Sequence, residues 1–314
     1  MIRSVGVIVP AHNEQDLLPA CLASLCRAAR ALRGVPVHVV VVADACRDRT
    51  AEAARRGGAS VVTISARSAG AARAAGAREL LRRTGHLDPA SVWLATTDAD
   101  TLVPARWLRQ QARYATQGWD ALVGTVTVTD WSGYPPGIRS LFRERYERGP
   151  GQPGEPSEPD GRDSGATGHP HVHGANLGFR ASAYLRSGGF AALATAEDHA
   201  LVTALTVAGS RVLRTRALPV ITSARRDSRA PHGFGDYLTQ LAAIPAERGG
   251  NRESRCRCPC RLGLSSAWQA HLQDTVSDPG IEHRLRRGRR SAGDRPVSQP
   301  EDAAVPRAGD APLS

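Results

Sequence analysis

Two carboxylates one residue apart, Asp98 and Asp100 in Thr96-Thr97-Asp98-Ala99-Asp100, follow the apolar run Val92-Trp93-Leu94-Ala95. Alternate side chains of an extended strand share a face, so the pair can point together from a strand end toward one divalent cation. Hard cations such as Mg2+ or Mn2+ take oxygen ligands of this type, and a cation so held can clamp a diphosphate. Asp-x-Asp also occurs in solvated turns, so the pair gains meaning only from what accompanies it.

The elements that must position such a pair are legible in the apolar pattern. Residues 5–9 form a short apolar run closed by Pro10, and Leu17, Leu18, Cys21, Leu22 and Leu25 then recur at helical spacing. Residues 37–42 are a second apolar run, 44–48 a polar turn, and 50–56 an alanine-rich helix with Asp48 as its N-cap. Residues 61–64 predict a third strand, 68–83 a helix, 92–96 a fourth strand and 121–128 a fifth, with Pro104 in the first turn of the helix between the last two. Strands alternating with helices, and apolar throughout, predict an α/β fold with a mostly parallel sheet covered on both faces. Ligands in such sheets bind beyond the carboxyl ends of the strands. The polar clusters around Asn13, Asp44, Arg67 and Asp98 to Asp100 each follow a strand and therefore gather along one rim.

Further on, residues 149–169 are rich in Gly, Pro, Ser, Asp and Glu and read as a mobile loop. Residues 172–180 predict a strand, 197–208 a helix with Leu201, Val202 and Leu205 inward, and 212–221 short strand material. The domain is expected to span 1–245, and 246–314 to be a disordered, low-complexity tail of Arg, Pro and Gly.

Composition narrows the class. The 314 residues are 41% hydrophobic, enough for a sizeable core. A formal charge of +11 suits phosphorylated, nucleotide or anionic-membrane partners without choosing among them. Cys256, Cys258 and Cys260 crowd into one segment, unlike a disulfide framework, and lack the two-residue spacing and second pair of zinc modules. No apolar run approaches the ~20 residues needed to span a bilayer, and the first residues show no leader pattern. The expected location is the cytoplasm, with peripheral contact at the inner face of the membrane compatible with the basic charge.

Val7-Ile8-Val9-Pro10-Ala11-His12-Asn13-Glu14 after one strand, Val41-Val42-Ala43-Asp44 after another and Asp98-Ala99-Asp100 after a fourth resemble the family 2 glycosyltransferases of the GT-A fold. The resemblance continues in order through 67–76, His173-Gly174-Ala175-Asn176-Leu177-Gly178, Gly188-Gly189-Phe190 and Ala196-Glu197-Asp198, covering roughly residues 4 to 240. It implies transfer of one sugar, with inversion, from a nucleotide-diphosphate sugar to an acceptor hydroxyl on a small molecule, glycan or lipid-linked compound.

By the same resemblance Pro10, Ala11, Asn13 and Glu14 cradle the nucleotide, and Asp44 accepts from the base. Ala43 and Cys46 stand where relatives commonly carry Asp and Ser. Asp98 approaches the ribose or a metal-bound water, and Asp100 ligates the Mg2+ or Mn2+ that bridges the phosphates. Asp198, with Glu197 beside it, is the catalytic base. Arg67, Gly70 and Arg73 serve the donor by charge or close backbone approach, Asn176 lines the sugar, and Arg225 and Arg226 lie near the diphosphate. The Gln-x-x-Arg-Trp pattern of processive synthases is absent, which favours single transfer.

Simpler roles stand beside these: a helix cap for Asn13, Glu14 or Asp198, a turn for Asp44, solvated helix faces for Arg67 and Arg73, strand-end packing for the glycines. His169, His171 and His173 alternate and can in principle bind zinc, although exposed histidines at a loop-to-strand junction, His173 bordering the acceptor pocket, explain them as well. A nucleotidyltransferase needs a Gly-rich phosphate loop that residues 10–14 lack. A noncatalytic scaffold using the Arg-rich tail on RNA or anionic membrane remains a second class, but with 4% aromatic residues no nucleic-acid partner is expected.

Overall fold

The computed structural model describes residues 1–148, 169–225 and 234–243. The elements are β1 (Ser4–Ala11), α1 (Leu18–Ala31), β2 (Val37–Asp44), α2 (Thr50–Arg56), β3 (Ser60–Ile64) and α3 (Ala69–Arg83). There follow β4 (Val92–Thr96), β5 (Thr101–Leu102), α4 (Trp107–Thr116), β6 (Ala121–Thr127) and α5 (Ile138–Arg148). The last described elements are β7 (Leu177–Arg180), α6 (Ala181–Arg186), α7 (Glu197–Val207), β8 (Val212–Thr222) and α8 (Phe234–Ala242). Loop residues 149–168, the tail with Cys256, Cys258 and Cys260, and Arg226 lie outside the described residues.

The eight strands form one sheet in the order β3-β2-β1-β4-β7-β6-β8-β5. β3, β2, β1 and β4 pair in parallel, as do β6 and β8; β7 is antiparallel to both β4 and β6, and β5 to β8. Six strands thus run one way, and β7 and β5 run against them. Their carboxyl ends share one rim, and β7, being reversed, begins at that rim.

Period-two alternation places the core on both faces. Val5, Val7 and Val9 of β1 join a buried cluster with Leu18, Leu22 and Leu25 of α1. Ile8, pointing the other way, joins Val42, Leu94 and Leu80 of α3. Burying each such side chain fully is worth about 1.5–3 kcal/mol, so both faces help hold the sheet. Small residues let α3 press close: a Cβ at Gly6 would meet Leu80 Cδ1 at 2.7 Å, and one at Gly76 would meet Ile8 Cγ2 at 2.6 Å. That accounts for the alanine and glycine content of α3.

Several boundaries differ from the sequence expectation. Arg49, not Asp48, holds the N-cap position of α2, although Asp48 still accepts from the Thr50 amide at 3.0 Å. Pro104 precedes α4 in a turn whose carbonyl accepts from Trp107 N at 2.8 Å. The strand expected at 172–180 shortens to Leu177–Arg180, because Gly174–Asn176 form a 3-10 turn. Residues 212–221 instead belong to one strand reaching Thr222, whose register against β6 jumps between Gly124 and Val126. This irregularity accommodates Pro219, which cannot donate to a regular ladder.

Candidate active site

The loops after β1, β2 and β3 are knitted together by side chains that sequence reasoning assigned to a ligand. Asp44 Oδ1 accepts from the amides of Ala66 (2.7 Å) and Arg67 (2.9 Å), and Oδ2 from that of Ser68 (2.8 Å). Three of a carboxylate's roughly four lone-pair positions are thereby used to shape the approach to α3. Ser68 then caps α3 by accepting from Ala71 N. Asn13, in the left-handed region at φ 54°, accepts from Arg47 N at 2.8 Å, while its amide nitrogen faces His12 Nε2 at 3.2 Å. His12 Nδ1 donates to the Asp44 carbonyl at 2.7 Å, which leaves Nε2 as the acceptor for Asn13. The Ala11 carbonyl accepts from the Cys46 thiol at 3.4 Å, and the parallel pairing of β1 with β2 runs through Pro10 beside Val42 to Ala11 beside Ala43. Neither Asn13 nor Glu14 caps α1, whose N-cap is Leu17.

Arg67 stands exposed on this rim, again with positive φ (50°). Gly70 departs from its expected role. A Cβ there would lie 2.2 Å from Ala191 O and 2.6 Å from Leu193 O, so its bareness admits the 191–193 backbone and not a donor. Backbone oxygens cannot swing aside as side chains do, and Gly70→Ala is expected to lower stability by about 1–3 kcal/mol, read from urea midpoints. A variant as stable as the native protein would return Gly70 to the donor side.

At the centre of the rim lies a buried arginine. Arg73 shares the inner face of α3 with Gly70, Gly76, Ala77 and Leu80. Its guanidinium bonds Asp98 Oδ1 from Nη2 at 2.6 Å and Glu197 from Nη1. Gly174 leaves room for it, since a Cβ there would sit 2.3 Å from Nη2. The simpler alternative of a solvated helix face does not hold, and the expected donor contact gives way to an internal one: Arg73 is a buried bridge between the acids after β4 and those opening α7. Burial opposes its charge, but Glu197, Asp98 and Asp198 outweigh burial and raise its pKa.

The acids respond in kind. Burial pushes Glu197 up to about 7, with Arg73 pulling the other way and Asp198 adding to the rise. Asp98 is raised by burial and by Asp198, against Arg73. Asp100 is pushed up to about 6, by burial first and then by the charge of Asp98, against Arg225. Arg225 forms a two-pronged pair with Glu14 (Nη1–Oε2 2.7 Å) and lies 3.1 Å from Asp100 Oδ2. Cys21, buried beneath them, donates to the Asp98 carbonyl at 3.4 Å and is pushed up to about 12 by burial and by Asp100 and Asp98, so it stays a thiol.

Asp198 occupies the first turn of α7, where Gly174 N donates to Oδ2 and its own neighbour His199 N to Oδ1, each at 2.8 Å. Thr96 Oγ1 fastens the same turn to the end of β4 by donating to the Gly174 carbonyl at 2.6 Å. Asp98, Asp198 and Glu197 are so brought together around Arg73, with Asp100 beside Asp98. Glu197 faces Arg73 and is buried, so a contact with substrate is not the place the structure gives it. A cleft of about 380 Å³ opens next to Asp100, lined by Thr129, Asp130, Ser132, Thr222 and Arg225 among others.

Two further expectations are corrected. Asn176 does not line a sugar: it is fully buried, its Nδ2 donating to the Thr125 and Leu218 carbonyls (2.8 Å each) and its Oδ1 accepting from Trp107 Nε1 (2.9 Å). The alternating histidines are not exposed. His169, His171 and His173 form a column with ring centroids 6.0 Å apart, and Tyr146 stacks on His171 at 4.0 Å. Tyr146 Oη accepts from Val126 N at 3.0 Å, so it donates to His173 Nε2 at 2.9 Å. Burial pushes His169 down to about 4 and His173 to about 3, keeping both neutral near pH 7. Among the described residues no group of three or more His, Cys, Asp or Glu side chains is arranged to hold a metal ion by itself.

An α/β sheet with its acidic cluster at the carboxyl rim defines the class, and sequence comparison supplies the family. Residues 6–187 match the description Glycosyl transferase family 2, more than half of the chain, and the chain belongs to that family. The members of that family are glycosyltransferases, and the mixed α/β sheet described above agrees with the GT-A fold expected of one. No curated protein sequence matches it. Among solved structures, S. aureus TarS 1-349 in complex with UDP-GlcNAc is 15% identical over 77% of this chain and 66% of that one, less than two thirds of its length, with a TM-score of 0.49. Mannosyltransferase PcManGT from Pyrobaculum calidifontis, in complex with GDP-Man and Mn2+, is 19% identical over 92% and 80%, TM-score 0.48. Glucosyl-3-phosphoglycerate synthase from Mycobacterium tuberculosis is 15% identical over 78% and 82%, TM-score 0.44.

Proposed function

We propose that the chain transfers a single sugar from a nucleotide-diphosphate sugar to an acceptor hydroxyl with inversion, using Asp198 as general base. The observation that carries this reading is the meeting of Asp98 and the Glu197-Asp198 pair on one guanidinium, Arg73, with Asp100 alongside. In this reading the nucleotide lies along the loops after β1 to β3, and the cleft beside Asp100 receives the sugar or acceptor. Its hydroxyl and carboxylate lining suits a polyhydroxylated molecule.

Asp198 retains lone pairs beyond the two that accept from Gly174 and His199, and one of these takes the proton as the acceptor oxygen attacks. The two amides fix the carboxylate's orientation. Arg73, bonded to both Asp98 and Glu197, holds Asp98 in register with α7, so donor and acceptor sides keep a constant separation.

A divalent cation fits the acids present. Five carboxylates (Glu14, Asp98, Asp100, Glu197, Asp198) gather around two guanidiniums, and burial together with mutual repulsion raises Asp98 and Asp100. Asp100 and Asp98 would hold Mg2+ or Mn2+, with donor phosphates and water completing the shell. When bound, such an ion neutralises charge on the departing diphosphate. Among the described residues no helix is long and apolar enough to cross a membrane.

Thermal unfolding with Mn2+ and UDP-, GDP- or dTDP-sugars tests the reading. The matching donor at 100 times its Kd is expected to add about 2.7 kcal/mol of apparent stability, and Mn2+ withdrawal to remove most of it. No shift with any of these donors would sink the donor assignment.

A further inference from the structure

Both carboxylates that would take a cation are already matched by cations of the protein's own. Asp98 is bonded to Arg73 at 2.6 Å, and Asp100 lies 3.1 Å from Arg225. Arg225 is not a loosely tethered surface group. It stands just beyond β8, only 24% exposed at its side chain, and grips Glu14, 5% exposed, with both arms of its guanidinium. Glu14 sits after β1 and Asp100 after β4, so Arg225 ties together the two sides of the rim between which a diphosphate would lie.

A divalent cation on Asp100 and a guanidinium 3.1 Å from its Oδ2 compete for the same carboxylate, and two cations held that close repel each other. A nucleoside diphosphate resolves the conflict. Its oxygens match the planar fork of an arginine, offering Arg225 a partner outside the acidic pair, and they also add ligands for the cation. We propose that Arg225 is the resident counter-ion of Glu14 and Asp100, so that the donor-free protein binds divalent cations weakly and the cation enters together with the nucleoside diphosphate. Arg225 thereby selects the metal-bound nucleotide over free metal. By linkage, nucleotide and cation then strengthen each other's binding by one common factor. The inference rests on the assignment of Asp98 and Asp100 given under Proposed function.

The test uses the full chain and Mn2+ alone, with free Mn2+ followed by its electron paramagnetic resonance signal. Arg225→Met and Arg225→Gln are compared with the native protein; the glutamine keeps a donor for Glu14 and guards against loss of fold in the methionine variant. Both are expected to bind Mn2+ at least about tenfold more tightly than the native chain. Asp100→Asn placed on Arg225→Gln is expected to abolish the gain. Adding UDP, GDP or dTDP should tighten Mn2+ binding far more in the native protein than in the variants. Equal Mn2+ affinity in native and variant chains, or a gain that survives Asp100→Asn, would overturn the counter-ion role. If the variants gain the site but none of the nucleotides tightens Mn2+ on the native chain, the counter-ion role stands and the donor reading falls.

Discussion

Asp198→Asn is expected to reduce turnover by about 10²–10⁴-fold while leaving donor affinity nearly unchanged. The amide keeps the shape of the side chain and one oxygen for the Gly174 amide, which donates at 2.8 Å in the native protein. What it loses is the acceptor that the His199 amide meets in the native protein and the ability to take a proton from the acceptor hydroxyl. Single-turnover transfer, measured beside donor binding by thermal shift, separates this outcome from a capping role. An ordinary N-terminal cap tolerates asparagine as well as aspartate, so unchanged turnover would remove Asp198 from the chemistry.

Asn176→Asp should produce the largest loss of stability. Its Nδ2 donates to the carbonyls of Thr125 and Leu218 in a site with no solvent exposure. A carboxylate there would set oxygen against two carbonyl oxygens and leave a buried charge with only the Trp107 indole as donor and no counter-charge, costing about 3–5 kcal/mol. For a domain of this size that corresponds to a fall in Tm of about 10 °C, measured calorimetrically. A residue that held the sugar would behave differently, raising the donor KM at unchanged Tm. Gly124 supports the structural role, since a Cβ there would lie 2.3 Å from Asn176 Nδ2.

The rim was legible in the sequence because apolar runs ending in polar clusters mark strand ends, and co-directional strands bring such ends together. This reasoning puts Asp98 and Asp100 at the rim, whereas Asp198 is picked out only by the resemblance of the Glu197-Asp198 pair. The direction of β7 was not legible. A four-residue strand carries a period but no polarity, and its reversal follows from pairing with β4 and β6. Arg73 carried a signal that was underused: its helical spacing from Gly70, Gly76, Ala77 and Leu80 places it on the inner face. Its partners gave no local sign, because Asp98 lies 25 residues away and Glu197 lies 124 away. The histidines misled for the same reason. Alternating polar residues read as exposed, and the ring that covers them, Tyr146, comes from α5, more than twenty residues earlier. Asn176, polar by type, gave no hint that an indole and two carbonyls would satisfy it in the core.

The reversed central strand also bears on how the molecule comes into being. Among the described residues β6 pairs only with β7 and β8, both later in the chain, and β4 keeps one open edge until residues 177–180 exist. During synthesis the first four strands can assemble early, yet the emerging polypeptide carries an unsealed hydrogen-bonding edge and a partnerless apolar strand until residue 180 has left the ribosome. Such long-range closure slows folding, and exposed edges invite self-association. The fold that holds the two sides of the site in one sheet therefore leaves the nascent chain open to edge-to-edge association during that interval.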